Sequence, residues 1–492
     1  MPGPARLSRP STHRLGVGQH QPRLPSPTVT PPVPGAEPIR SPDLLDAPAP
    51  VAAPRPAQPR PSSAAAPIAA AADAPGASPS RRFWIVVSSH AAVDLYAAVV
   101  PALSLALAAS LGLSKPQLTA LFVINSVMSG ISQPVFAWMT DRLDTRLCAP
   151  IGLAVSALCL SLIGHADSYA QLVALQVVGQ IGVGMFHPIG AALAGQIGRG
   201  LAFGRSMAVT LFFTAGMLGS VLGPVLVTRM NERFGMTSLA WLIPFGLVFA
   251  LVLHRGTRGV AHRQPRQASA EPIAPEKLRA CARAVRLLFA AAVLRFGVNN
   301  ALFFLFSQWC DQRIPNDAAK ASSATGGVFA VASIGMGLAS LVAGRTVRPG
   351  FEKGPMVMLP LIASPLVAAM GLVDPAASWT MPLMMALAFV TASGYAATAP
   401  LAITLAQRLM PGKTGVASSL MMGGAWTVSS GFPFLALFAI SLGNGKAHAG
   451  GAGSGDHVSL LAGFVLMAVL LALNGVMSML LPSRLLKETA EH

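Results

Sequence analysis

Twelve mostly apolar stretches, each about long enough to cross a lipid bilayer as one helix, limit what this chain can fold into more than any other feature. A crossing helix takes roughly 20 apolar residues. Runs of that kind fall at 83–107, 116–139, 148–165, 168–193, 205–229, 236–254, 285–307, 323–345, 355–373, 379–405, 414–441 and 457–481. Glycine and proline recur inside them, which membrane helices tolerate. Only 11% of the residues are charged and the mean hydropathy is +0.58, where a soluble chain carries about a quarter charged residues. The reading is an all-α membrane protein of twelve transmembrane helices in two pseudo-symmetric six-helix bundles.

The formal net charge of +17 would suit a nucleic-acid binder if it formed a basic face with interleaved aromatics. It does not: the cations sit in short clusters between apolar runs, where Lys and Arg set membrane orientation. With a cytoplasmic amino terminus, 21 Lys or Arg fall on the cytoplasmic side and 6 on the other. That bias predicts both termini inside and an even number of spans. The longest basic loop, 255–284, divides six spans from six. The expected organisation is a cytoplasmic tail at 1–80, a first bundle at 81–254, the linker 255–284, a second bundle at 285–482 and a short cytoplasmic tail at 483–492. The first 80 residues hold 20 of the 41 prolines and no apolar periodicity, so they are expected to be unstructured. Cys148, Cys159, Cys281 and Cys310 show no CxxC or metal-ligand spacing, and no metal or cofactor is expected. The glycine-rich loop Gly443–Gly455 has no Gly-Lys-Ser/Thr ending and is read as a linker, not a phosphate cradle.

Specific residues then add to the pattern. The segment after the second span, Ala137-Trp-Met-Thr-Asp141-Arg142-Leu-Asp144-Thr-Arg146, resembles the loop signature of the major facilitator superfamily, although Ala137 and Asp144 stand where its glycines belong. Gly219-Ser-Val-Leu-Gly223-Pro224 is similar to the first part of a signature found in that superfamily's proton-driven exporters, whose closing glycine pair is here Val227 and Thr228. His90-Ala-Ala-Val-Asp94, Phe186-His187-Pro188, Arg295 and Leu405-Ala406-Gln407-Arg408-Leu-Met-Pro411-Gly412 resemble motifs of the fosmidomycin resistance protein family. The resemblance implies a monomeric transporter and a gating cluster at Asp141, Arg142 and Arg146, which are otherwise solvated loop charges. An acid expected in the matching loop after span 8 is missing, Arg348 taking its place.

Ionisable groups at membrane depth are costly, so each is a functional candidate. Asp94, near the middle of span 1, is a candidate proton-coupling group; otherwise it is a structural carboxylate bonded to a neighbouring helix. His90 lies one helical turn before it on the same face. His187, beside Pro188, can relay protons or simply join helices. Arg295, near the middle of span 7, needs an anionic partner. By pseudo-symmetry it can face Asp94 across a central cavity, or hold an anionic substrate. Asn299, Asn300 and Gln180, with Gln176, are polar wall candidates. Gly216, Gly219, Gly223 and Pro224 on span 5 let helices approach closely.

These residues point to a proton-coupled secondary transporter of small molecules in a plasma (inner) membrane. Its expected partners are the substrate, protons and the bilayer. Export by substrate/proton antiport through alternating access is the first expectation, and uptake of a small organic anion the second. A membrane-embedded enzyme or receptor lacks support, since no nucleophile–base spacing or nucleotide motif is present.

Overall fold

The computed structural model describes residues 78–140, 146–260, 275–410, 414–448 and 459–490. The expected front tail up to residue 77, Asp141 and Arg142 of the candidate gate, and residues 261–274 of the linker lie outside the described residues. Among the described residues every regular element is helical, and twelve helices are long and apolar enough to cross a membrane. They are α1 (Pro79–Leu111), α2 (Lys115–Met139), α3 (Cys148–His165), α4 (Tyr169–Gly198), α5 (Met207–Phe234) and α6 (Met236–Gly256), followed by α7 (Pro275–Arg313), α8 (Ala318–Thr346), α9 (Lys353–Met370), α10 (Thr380–Leu409), α11 (Val416–Asn444) and α12 (Leu461–Met479). Helix α7 begins ten residues ahead of the apolar run from 285. Its polar first turns carry Glu276, Lys277, Arg279 and Arg283, good helix formers that need no apolar surroundings.

Helices α1–α6 pack into one bundle and α7–α12 into the other. Large apolar side chains such as Leu158, Leu222, Val248, Ile362, Val390, Phe438 and Val469 point outward and are exposed. That many outward-facing apolar groups suits hydrocarbon rather than water.

Two spans are broken in the same way. Helix α1 turns at Ala98 and α10 at Ala397, each three residues before a proline. The ring of Pro101 removes the amide that would bond the Ala97 carbonyl, and Pro400 does the same to Ala396. A side chain from a neighbouring helix fills each gap: Gln180 Nε2 donates to Ala97 O at 3.4 Å, and Ser340 Oγ donates to Ala396 O at 3.2 Å. Freed carbonyls in a membrane helix require such partners.

The bundles approach backbone to backbone along two helix pairs. Between α2 and α11, Gly130 and Gly423 meet backbone to backbone; a Cβ on Gly423 would lie 2.8 Å from the Gly130 carbonyl oxygen. Between α5 and α8, a Cβ on Gly326 would lie 2.9 Å from the Pro224 carbonyl oxygen. At the end of the bundle away from the termini, Ala106 N donates to Ser322 Oγ at 3.1 Å. There Phe122 and Phe304 also meet edge to face, with ring centroids 5.7 Å apart. These contacts hold α1 and α2 against α8 and α7.

Candidate functional site

Helices α1, α4 and α5 converge on Asp94. His90 and Asp94 lie one turn apart on α1, and His90 Nε2 is 3.5 Å from Asp94 Oδ2. From α4, His187 Nε2 reaches Asp94 Oδ1 at 3.1 Å. Each imidazole has already committed its other nitrogen. His90 Nδ1 is 2.6 Å from the Phe212 carbonyl oxygen, and His187 Nδ1 is 2.8 Å from that of Val183, one turn back on its own helix. A carbonyl oxygen only accepts, so both Nδ1 atoms carry protons. The His90 ring also stacks on Phe212 with centroids 3.9 Å apart, and Phe186 and Phe212 are fully buried beside it.

This geometry counts protons. With Nδ1–H fixed on both rings, a neutral imidazole presents only its Nε2 lone pair to Asp94. A lone pair against a carboxylate oxygen repels, so each favourable contact holds one proton, on the acid or on the ring. One proton in the 3.1 Å contact leaves the cluster neutral, and a second in the 3.5 Å contact gives it a charge of +1. With just the first proton in place, His90 Nε2 is buried without a hydrogen-bond partner. Chemically, the three side chains can hold one or two shared protons between them.

Helix α5 closes the site with glycine. A Cβ on Gly216 would lie 2.5 Å from Asp94 Oδ2 and 2.7 Å from His90 Nε2, so a side chain there would displace the cluster. One and two turns on, Gly219 abuts the Ala91 carbonyl and Gly223 lies against that of Leu95. All three glycines face α1, inside the first bundle. The face of α5 that meets the second bundle carries Met217, Pro224 and Thr228. Gln180 Nε2 serves the α1 break and Asn125 Oδ1 at 2.5 Å, and Gln176 Nε2 donates to Leu121 O at 2.6 Å; the Oε1 atoms of both are buried without a hydrogen-bond partner. Arg146 lies exposed at the turn before α3.

Across the molecule, Arg295 on α7 is 6% exposed and its guanidinium lies 4.0 Å from the centroid of the Phe296 ring. No ion pair joins it to Asp94, contrary to the facing arrangement expected from the sequence; two histidines of the first bundle have taken that carboxylate. Arg295 Nη2 is buried with no hydrogen-bond partner, as are Asn300 Nδ2 and Trp426 Nε1. Trp426 packs on Phe296 at 4.8 Å between centroids. One turn from Arg295, the Asn299 side-chain oxygen Oδ1 accepts from the Tyr395 hydroxyl at 3.0 Å. Among the described residues no anionic side chain pairs with Arg295, and α7 and α11 carry further buried unpaired donors at Asn300 and Trp426.

Sequence reasoning missed Glu352. It is 4% exposed, pairs with Arg408 of α10 and accepts from Gly350 N at 2.9 Å. Glu352 lies four residues beyond Arg348, where a left-handed turn at Gly350 (φ +88°) leads into α9.

Two six-helix halves meeting along paired helices, with ionisable groups held at membrane depth, describe a multi-pass membrane transporter of small molecules. Residues 86–433 match the Major Facilitator Superfamily, and the chain belongs to it. It is 26% identical over 348 residues to the fosmidomycin resistance protein of Escherichia coli (strain K12), a match covering 69% of this chain and 81% of that protein. It is also 27% identical over 169 residues to the uncharacterized MFS-type transporter YfnC of Bacillus subtilis (strain 168), covering 34% of this chain and 40% of that one. Among solved structures, it resembles a bacterial homolog of the human lysosomal transporter Spinster, inward-facing and unoccupied. That match has a TM-score of 0.62 at 14% identity and covers 84% of this chain and 98% of that one. A peptide transporter POT in complex with alafosfalin matches with a TM-score of 0.61 at 13% identity, over 82% and 95% of the two chains.

Proposed function

We propose that this chain exports a small anionic molecule in exchange for protons, by alternating access, across a plasma (inner) membrane with both termini in the cytoplasm. The observation that carries this reading is the pair of imidazoles, each with Nδ1–H given to a carbonyl and Nε2 turned to Asp94. Protonation of that cluster changes the charge on the α1–α4–α5 seam, which favours one arrangement of the halves over the other. The substrate occupies the second bundle, where Arg295 supplies the countercharge and Trp426 a stacking face. The name of the Escherichia coli relative supports export, and Arg295 supports an anion. Asp141, Arg142 and Arg146 act as the cytoplasmic gate, and the carrier works as a monomer without a cofactor.

The test uses inside-out membrane vesicles acidified by respiration, challenged with fosmidomycin and with a panel of phosphonates and carboxylates. Addition of a substrate alkalinises the lumen only when the chain is present. The same unpaired Arg295 also suits uptake of an organic anion together with protons. That second reading gains if acid enters intact cells along with the anion and no compound alkalinises the vesicles.

A further inference from the structure

We propose that His90, Asp94 and His187 also form a binding site for a divalent transition-metal ion of the zinc type. Their ligand atoms all lie within 4.8 Å of one another. The two nitrogen–oxygen separations, 3.1 Å from His187 to Asp94 Oδ1 and 3.5 Å from His90 to Oδ2, lie close to the spacing of about 3.3 Å that tetrahedral zinc imposes on ligands at 2.0–2.1 Å. The nitrogens that face the carboxylate are the ones a metal uses. Metal-binding histidines give their other N–H to a carbonyl or carboxylate, which fixes the tautomer and turns the ring. Both rings already do so, to Phe212 and Val183. His90 Nε2 is buried without a hydrogen-bond partner and aims into the cluster, so a metal would satisfy it.

Spacing along the sequence does not reveal the site, because His187 arrives from another helix. Gly216 lets the α5 backbone close against Asp94 and His90 without displacing them. Three protein ligands leave a fourth position, and Asp94 and His187 retain 12% and 15% exposure, so water or an anionic oxygen can fill it. Zinc and the coupling protons seek the same atoms, so bound metal halts proton exchange at this cluster.

The full-length purified protein is titrated with Co²⁺ at fixed pH, followed by displacement with Zn²⁺. The expected result is one equivalent of four-coordinate visible absorption, bleached by one equivalent of Zn²⁺, with a metal-dependent rise in the thermal midpoint. His187→Gln and His90→Gln, made separately, each weaken binding by at least about tenfold while all other histidines remain. Metal-free thermal unfolding of both variants verifies that they fold. Zinc that binds the His90→Gln and His187→Gln variants as tightly as the original chain overturns the proposal, as does the absence of saturable one-to-one binding. Neither readout depends on transport, so failure of proton exchange and failure of metal binding are separate results.

Discussion

Arg295 is a cation held in a buried setting with one nitrogen unsatisfied. Left that way it is expensive, so the site gains when an anion completes it. A charge-assisted hydrogen bond contributes about 1.5–3 kcal/mol, so Arg295→Ala should raise the half-saturating concentration of an anionic substrate by about ten- to a hundredfold. A transport titration reads this directly; an unchanged value would remove Arg295 from the substrate site. Arg295 was legible in the sequence because a cation in an apolar run stands out, yet its surroundings were not. The sequence suggested Asp94 as its partner, and proximity in three dimensions assigned Asp94 to His90 and His187 instead. His90 was predictable as a neighbour from helical spacing alone. His187 was marked as a candidate but could not be paired, since 93 residues separate it from Asp94.

At the level of helices, length and hydropathy marked all twelve spans because a bilayer enforces both. The breaks at Ala98 and Ala397 were not anticipated, although Pro101 and Pro400 were the local signal. The glycines of α5 were legible as a close-packing face, but the sequence gives no indication of which neighbour they face. That neighbour is α1. Gly219→Ala places a methyl against the Ala91 carbonyl, where only backbone movement can relieve it. Overpacking of this kind costs about 1–3 kcal/mol, and the thermal midpoint should fall by several degrees; no change would mean that α5 and α1 are not held this closely. The Glu352–Arg408 pair makes a second prediction. Glu352→Ala leaves the half-buried Arg408 guanidinium unmatched, which costs about 1.5–3 kcal/mol. A double substitution, Glu352→Gln with Arg408→Met, should recover much of that loss in a thermal unfolding series. Equal destabilisation by the double variant would show that packing, not charge, holds α9 to α10.

Over the whole molecule, the halves touch through α2 with α11, through α5 with α8, and at the end opposite the termini through Ala106 with Ser322. A carrier that alternates must part the last of these in each cycle. Cysteines placed at Ala106 and Ser322 and oxidised should stop transport, and a reductant should restore it. Full activity of the cross-linked protein would mean that this end stays shut throughout. The two-bundle plan was readable from the basic loop between the sixth and seventh spans, while the seam between the bundles depends on glycine contacts that no linear pattern displays. If the cluster around Asp94 ties cargo movement to protons, the link is visible in reconstituted vesicles. Proton flux is recorded on addition of substrate for the unaltered chain and for Asp94→Asn. Asp94→Asn is expected to exchange labelled substrate between the two sides but to move no protons with it; undiminished substrate-driven proton flux in that variant would exclude Asp94 from coupling.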